Sequence, residues 1–196
     1  MTQSLRIVVA DDEPDLRDYF ERILPRLGHK VVGTAKNGLE LVRQCQTAKP
    51  DLVITDIKMP DLDGIDAAMR IYEDRPVPVI LVSAHQDPEL IARAEMDHIM
   101  GYLVKPIKLA DLAPAIAIAT YRFEQLQALR KETNNLRQAL ADRKVVERAK
   151  GVLMKQAGLD EPAAFQRLQK LASEKNRKLV DIANMILTAE EALRVS

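Results

Sequence analysis

Residues 51–64 read DLVITDIKMPDLDG. Leu52-Val53-Ile54-Thr55 is a short run of bulky, mostly β-branched side chains, too short for a buried helix and typical of a strand covered on both faces. The run ends on a carboxylate, Asp56, and Pro60 punctuates the loop beyond it. Outward from this segment the same pattern recurs: LRIVVA (5–10) and KVVGTA (30–35) before it, VPVILVSA (77–84) and GYLVK (101–105) after it. The stretches between have helical spacing, as in Leu16, Tyr19, Phe20, Ile23 and Leu24, or Leu39, Leu41, Val42 and Cys45. Five strands alternating with five helices predict an α/β domain, its parallel sheet covered on both faces. Pro50, Pro60, Pro76 and Pro78 fall near strand and loop boundaries, and Pro25 is expected to shorten the last turn of the first helix.

The chain has 196 residues, enough for one ordinary domain and a smaller one. At 47% hydrophobic and 30% charged it reads as globular rather than disordered. No apolar run approaches the ~18 residues of a membrane span. The opening residues lack the parts of an export signal, so a cytoplasmic protein without membrane association is expected. The single cysteine, Cys45, excludes an internal disulfide and falls on the apolar face of the second helix, a core position. Net charge is zero but unevenly placed: −5 over 1–120, +2 over 121–140 and +3 over 141–196. An acidic first part and a mildly basic tail suggest two tasks.

From Leu109 onward no strand pattern appears. Leu112, Ile116, Ala119, Phe123 and Leu126 follow 4-3-4-3 spacing, and Leu126, Leu129, Thr133, Leu136 and Leu140 follow 3-4-3-4. This predicts one long helix whose seam shifts register at Leu126. Packing on its own sheet explains the seam to about residue 120; the leucines beyond predict a helical-hairpin or coiled-coil contact. Residues 141–196 divide into three short helices, with apolar faces at Val145, Val146, Ala149, Val152 and Leu153, then Ala164, Phe165, Leu168, Leu171 and Ala172, then Leu179, Ile182, Ala183 and Ile186. Gly158 should stop the first, and Asp160 should cap the second ahead of Pro162. Ser173 to Lys178 reads as a six-residue polar turn, and Phe165 as a core residue. The expected division is 1–120, a helical linker at 121–140, and 141–196.

In an open parallel sheet, ligands bind at the carboxyl ends of the strands. Here those ends carry Asp11-Asp12, Asp56, Ser83 and Lys105-Pro106. Three converging carboxylates repel one another unless a hard divalent cation such as Mg²⁺ joins them. A carboxylate can also act as a nucleophile and form an acyl phosphate, with Mg²⁺, a lysine and a hydroxyl stabilising the phosphoryl oxygens. The pattern VVADDEP, DLVITDIKMPDLDG, VILVSA and YLVKP, in that order, resembles the receiver domain of bacterial response regulators over residues 5–120. The resemblance implies a flavodoxin-like five-stranded sheet and a phosphoryl group taken from a sensor histidine kinase. It implies that Asp56 is the phosphoacceptor, and that Asp11, Asp12, Asp56 and the backbone carbonyl of Lys58 hold Mg²⁺. Ser83 becomes the switch hydroxyl, Tyr102 the switch aromatic, and Lys105 the phosphate-contacting lysine before a cis bond to Pro106. The chain departs from the family at Asp97-His98-Ile99, where small residues and glycine are usual. His85, two residues after Ser83, is placed to flank the site; His29 and His98 have no ligand spacing.

The tail, with Ala149-Lys150-Gly151-Val152-Leu153-Met154, Glu161 to Ala164, Asn176-Arg177 and Val180 to Ala183, resembles an ANTAR domain, an RNA-binding antitermination module. That resemblance implies a domain that binds RNA hairpins as a dimer and prevents a terminator from forming. Phosphorylation, through Asp56 and the leucine seam at 126–140, is expected to shift the chain toward a homodimer, and no enzyme activity is expected. Candidate RNA contacts are Arg148, Lys150, Lys155, Arg177 and Lys178. Lys144, Arg148 and Lys155 share a helix face, although Glu147, Glu174 and Asp181 interrupt the charge, and residue types alone would better suit a solvated surface. Two other readings stand beside this one. A DNA-binding helix-turn-helix would want a three- to four-residue turn, shorter than the six expected here. A phosphatase of the haloacid-dehalogenase type would show Asp-x-Asp at one strand end, which Asp56 lacks.

Overall fold

The computed structural model describes residues 4–84 and 99–194. Its order is β1 (Arg6–Ala10), α1 (Pro14–Arg26), β2 (Lys30–Ala35), α2 (Gly38–Ala48), β3 (Leu52–Asp56), α3 (Gly64–Asp74), β4 (Val79–Ser83), β5 (Ile99–Val104), α4 (Leu109–Ala157), α5 (Glu161–Glu174) and α6 (Leu179–Arg194). The fourth of the five expected helices, together with His85, Asp97 and His98, lies outside the described residues. The chain divides into two compact units, Met1–Gln127 and Ala128–Ser196. Among the described residues no helix is long and apolar enough to cross a membrane.

The first unit is a five-stranded parallel sheet in the order β2-β1-β3-β4-β5. Strand residues alternate between its two faces. Val8, Val53, Val79 and Leu81 pack with Leu41, Cys45, Ile65 and Ile71 of α2 and α3. Ile7, Val9, Ile54, Ile80 and Val82 pack on the other face with Phe20 and Leu24 of α1 and Leu112, Ile116 and Ala119 of α4. Each large aliphatic or aromatic side chain buried here contributes about 1.5–3 kcal/mol. The helices next to the site are capped at their N-termini: Asn37 accepts from the Glu40 N–H at 2.8 Å, and Asp63 from the Asp66 N–H at 2.8 Å. Pro25 lies inside α1, which ends one residue later; the chain then turns through Gly28 at φ +87°.

The second unit has its own small core, in which Val146, Ala149 and Val152 of α4 meet Leu168 of α5 and Ile182, Ala183 and Leu187 of α6. Gly158, at φ +66°, lies just beyond the end of α4, and Asp160 caps α5 by accepting from the Ala163 N–H at 2.9 Å. Three expectations are corrected. The first of the three short helices is the end of α4, which runs 49 residues without a break. The turn between α5 and α6 has four residues rather than six, because Ser173 and Glu174 stay helical and Asn176, at φ +49°, makes the reversal. Phe165 is 36% exposed and lies outside the core. Its neighbour Ala164 faces inward, and one residue along a helix is a rotation of about 100°.

The long seam also divides. Leu112, Ile116, Ala119, Phe123 and Leu126 pack onto the sheet, which places Leu126 in the inner row. Leu129, Leu136 and Leu140 are about 60% exposed, and Ile118 at 49% and Tyr121 at 63% are exposed as well. Unpartnered apolar side chains therefore start before residue 126, alongside the inner row.

Candidate phosphoryl-acceptor site

The residues that matter chemically sit where strands end, and the sheet's hydrogen bonds hold them there. Ile57 N–H donates to the Val82 carbonyl at 3.0 Å, Asp11 N–H to the Ala35 carbonyl at 3.1 Å, and Lys105 N–H to the Ser83 carbonyl at 2.8 Å. Each bond continues the ladder one step past its strand, so Asp11, Asp56, Ser83 and Lys105 share the carboxyl edge. The loop after Asp56 is closed by Gly64, whose N–H donates to the Ile57 carbonyl at 2.8 Å. A Cβ on Gly64 would collide with the Asp56 carbonyl oxygen. The Lys105–Pro106 peptide bond is cis, as the receiver resemblance implied. Tyr19 of α1 donates to the Ile107 carbonyl at 3.2 Å and ties down the backbone just past Pro106.

Carboxylate oxygens of Asp11, Asp12 and Asp56 lie within 4.8 Å of one another. Asp11 and Asp56 are buried and Asp12 is exposed, so the cluster opens to solvent on one side. Asp12, Glu13, Asp56, Lys58, Ser83, Ala84 and Lys105 line the cavity above it. The Lys105 ammonium lies 3.1 Å from Asp11 Oδ2, 3.5 Å from Asp56 Oδ1 and 2.9 Å from Glu13 Oε1. Burial pushes the Asp56 carboxyl up to about 6 from an ordinary 3.8; the positive charge of Lys105 opposes the shift and the negative charge of Asp11 adds to it. Asp11 is raised too, mainly by burial, against hydrogen bonds from Glu13 N–H and Lys105. Burial works against the charge on Lys105, but its bonds to Glu13 and Asp11 and the charges around it outweigh that and raise its pKa. One lysine thus incompletely compensates a carboxylate group that holds excess negative charge. Three hard oxygen donors around an open, under-neutralised position suit Mg²⁺, whose ligands sit ~2.1 Å from the ion.

Ser83 is buried at the same edge. Tyr102 is half-buried, packed against the core on the α2–α3 face of the sheet. Cys45 is buried and its thiol is pushed up to about 12, which makes it inert. His29 is buried, and its Nδ1 accepts from the Leu5 N–H at 3.3 Å. Glu13, which the strand-end pattern does not mark, is a member of the site. Its reach to Lys105 crosses 92 positions of sequence, beyond any local spacing.

In the second unit Arg148, Lys155, Arg177 and Lys178 are exposed. Arg148 lies 3.9 Å from Glu191, a loose solvent-exposed pair. Lys150 is different. It is buried, with Nζ 2.8 Å from Glu147 Oε2 and 2.8 Å from Glu161 Oε1, and 5.8 Å from the centre of the Phe165 ring. The two glutamates raise its pKa against the effect of burial. Its cation is committed to joining α4 to α5, and it is withdrawn as an RNA contact.

Residues 7–117 match the family described as response regulator receiver domain, and residues 134–187 match the ANTAR domain. The transcriptional regulatory protein PdtaR of Mycobacterium tuberculosis is 40% identical over 182 residues, 93% of this chain and 89% of that protein. The positive alginate biosynthesis regulatory protein of Pseudomonas aeruginosa is 38% identical over 119 residues, which span 59% of this chain and 47% of that one. Among solved structures, a response regulator receiver domain protein from Clostridium thermocellum superposes with a TM-score of 0.56 at 33% identity, covering 62% of this chain and 98% of that one. The structure of the CheX–CheY–BeF3–Mg complex from Borrelia burgdorferi matches with a TM-score of 0.54 at 26% identity, over 57% and 85% of the two chains. With a receiver domain over residues 7–117 and an ANTAR domain over 134–187, the chain belongs to the response regulator family.

Proposed function

We propose that this protein takes a phosphoryl group on Asp56 from a sensor histidine kinase and uses it to control RNA binding by its C-terminal unit. The observation that carries the first half is the convergence of Asp56 with Asp11, Asp12 and Lys105 at one sheet edge. An Asp56 carboxylate oxygen attacks the phosphorus of a phosphohistidine. The new P–O bond forms as the P–N bond breaks, the electron pair goes to the imidazole nitrogen, and solvent protonates it. Asp11, Asp12, Asp56 and the Lys58 carbonyl would hold Mg²⁺, which when bound offsets carboxylate repulsion and neutralises charge on phosphoryl oxygens. Lys105 and the Ser83 hydroxyl bind the phosphoryl oxygens, and Tyr102 repacks with Ser83. Replacing Asp56 with Asn should abolish labelling by acetyl phosphate, and persistent labelling would refute the assignment.

The ANTAR match supports an output that binds RNA hairpins and prevents a terminator from forming. Arg148, Lys155, Arg177 and Lys178 are its proposed phosphate contacts. The exposed row on α4 supports a pairing of two copies that phosphorylation promotes, with 121–140 as linker between a receiver at 1–120 and an output domain at 141–196. The four-residue turn between α5 and α6 favours one competing reading, a DNA-binding helix-turn-helix. Competition between a labelled RNA hairpin and duplex DNA of equal length separates the two: preference for the hairpin supports antitermination, and preference for duplex supports the alternative.

A further inference from the structure

Glu13 stands at the N-cap of α1, where an oxygen-bearing side chain ordinarily accepts a bond from the helix's first turn. Its carboxylate makes no such bond. It turns instead to Lys105, with Oε1 2.9 Å from Nζ. The Glu13 backbone is fixed from below. Its N–H donates to Asp11 Oδ1 at 2.9 Å, and the Arg17 guanidinium donates to the carbonyls of Asp11 and Asp12 at 2.7 and 3.0 Å. The Lys105 ammonium thus has three carboxylate neighbours of two kinds. Asp11 and Asp56 are buried and belong to the proposed metal and phosphoryl chemistry. Glu13 is 64% exposed and belongs to neither.

We propose that Glu13 is a positioning residue that holds Lys105 in a parked arrangement and competes for it with the phosphoryl group on Asp56. The inference rests on the reading of Asp56 as acceptor. A phosphoryl group adds three strong acceptor oxygens and further negative charge beside Asp56. Lys105 turns toward them and gives up its exposed partner. The Glu13 contact exists in the unphosphorylated state and is surrendered in the other, so it biases the equilibrium toward the unphosphorylated form. An exposed ion pair is weak, so the bias tunes the switching threshold rather than blocking it.

Beryllofluoride, a tetrahedral stand-in for a phosphoryl group on a carboxylate, tests this on the full chain at saturating Mg²⁺. Wild type, Glu13→Gln, Lys105→Gln and the double variant are titrated, with thermal melts confirming that each is folded. Glu13→Gln should tighten apparent affinity roughly two- to five-fold when Lys105 is present and leave it unchanged when Lys105 is absent. Glu13→Asp keeps the charge but shortens the reach by one methylene, so it should behave like Glu13→Gln. Equal tightening in both Lys105 backgrounds, or a Glu13→Asp chain that binds like wild type, would show that Glu13 acts only through its field on the incoming anion and would overturn the proposal. Unchanged or weaker binding by Glu13→Gln would overturn it as well. A wild-type chain that binds no beryllofluoride would instead remove the acceptor assignment itself.

Discussion

At the scale of single residues, Asp56 works against the stability of the fold that holds it. A carboxyl whose folded pKa lies near 6 instead of 3.8 binds more protons folded than unfolded between those values, so stability falls as pH rises through that window. Above pH 6 the full cost is present, on the order of 1–3 kcal/mol. Asp56→Asn, which cannot ionise, should therefore melt higher than wild type at pH 7.5 without divalent ions, and the difference should vanish near pH 4. Mg²⁺ should raise the wild-type melting temperature more than that of the variant; an equal rise in both would count against Asp56 as a ligand. Gly64 makes a separate point. Its Cβ-free approach to the Asp56 carbonyl leaves no room for a methyl group, so Gly64→Ala must displace the peptide of Asp56, the proposed acceptor. Acetyl phosphate labelling of Gly64→Ala should fall at least ten-fold while the chain stays folded, as circular dichroism would show. Asp11, Asp12, Asp56, Ser83 and Lys105 could all be found from sequence, because each ends a recognisable strand. Glu13 and Lys150 could not be assigned, because a side chain's partner depends on distances that spacing does not encode.

At the scale of elements, the strands were readable because burial of the central ones on both faces leaves short, nearly continuous apolar runs, as in β3 and β4. The C-terminal helices were readable in number and face but not in their limits. Ser173 and Glu174 look like turn residues, yet α5 keeps them because Asn176 can take the left-handed reversal two residues later. The seam of α4 misled in a different way. Its two registers overlap at Leu126, and only packing shows that the inner row ends there while an outer row at Ile118, Tyr121, Leu129, Leu136 and Leu140 stays uncovered. Leucines this exposed add little to the fold of one chain. Leu129→Ser with Leu136→Ser should leave the melting temperature of dilute unphosphorylated protein within a few degrees of wild type. If acetyl phosphate promotes pairing of two copies as proposed, the same pair should abolish that association, as measured by sedimentation over a concentration series. Phe165 and Leu168 give a second contrast on one helix. Leu168 is fully buried, and Leu168→Ala should cost about 2–5 kcal/mol. Phe165→Ala, at a half-exposed position, should cost well under the ~3–5 kcal/mol of a core aromatic in a urea titration.

At the scale of the whole chain, the charge division is the physical fact that output must work with. Residues 1–120 carry −5 and residues 141–196 carry +3, and RNA is a polyanion. Screening limits the reach of either charge to ~8 Å at physiological salt, so specific exposed cations rather than the net sum must carry the contact. With Lys150 committed to Glu147 and Glu161, the second unit presents Arg148 and Lys155 on α4 and Arg177 and Lys178 at the α5–α6 turn. Its sole aromatic, Phe165, has the Lys150 ammonium 5.8 Å from its ring centre, and a single ring offers no platform for successive bases, so under the proposed RNA reading recognition should depend on backbone shape and phosphate charge. Removing one cation from a phosphate should flatten the log–log dependence of affinity on salt by ~0.7–0.9. Arg177→Ala with Lys178→Ala should therefore lower the slope by about 1.4–1.8, weaken all hairpins alike, and leave Asp56 labelling intact. Lys150→Gln should do the opposite, lowering the melting temperature of the second unit while leaving the slope of the folded protein unchanged. Hairpin affinity measured at four salt concentrations for the three full-length chains decides the matter. A slope that drops for Lys150→Gln and not for the turn variant would place the RNA on the opposite face of the unit.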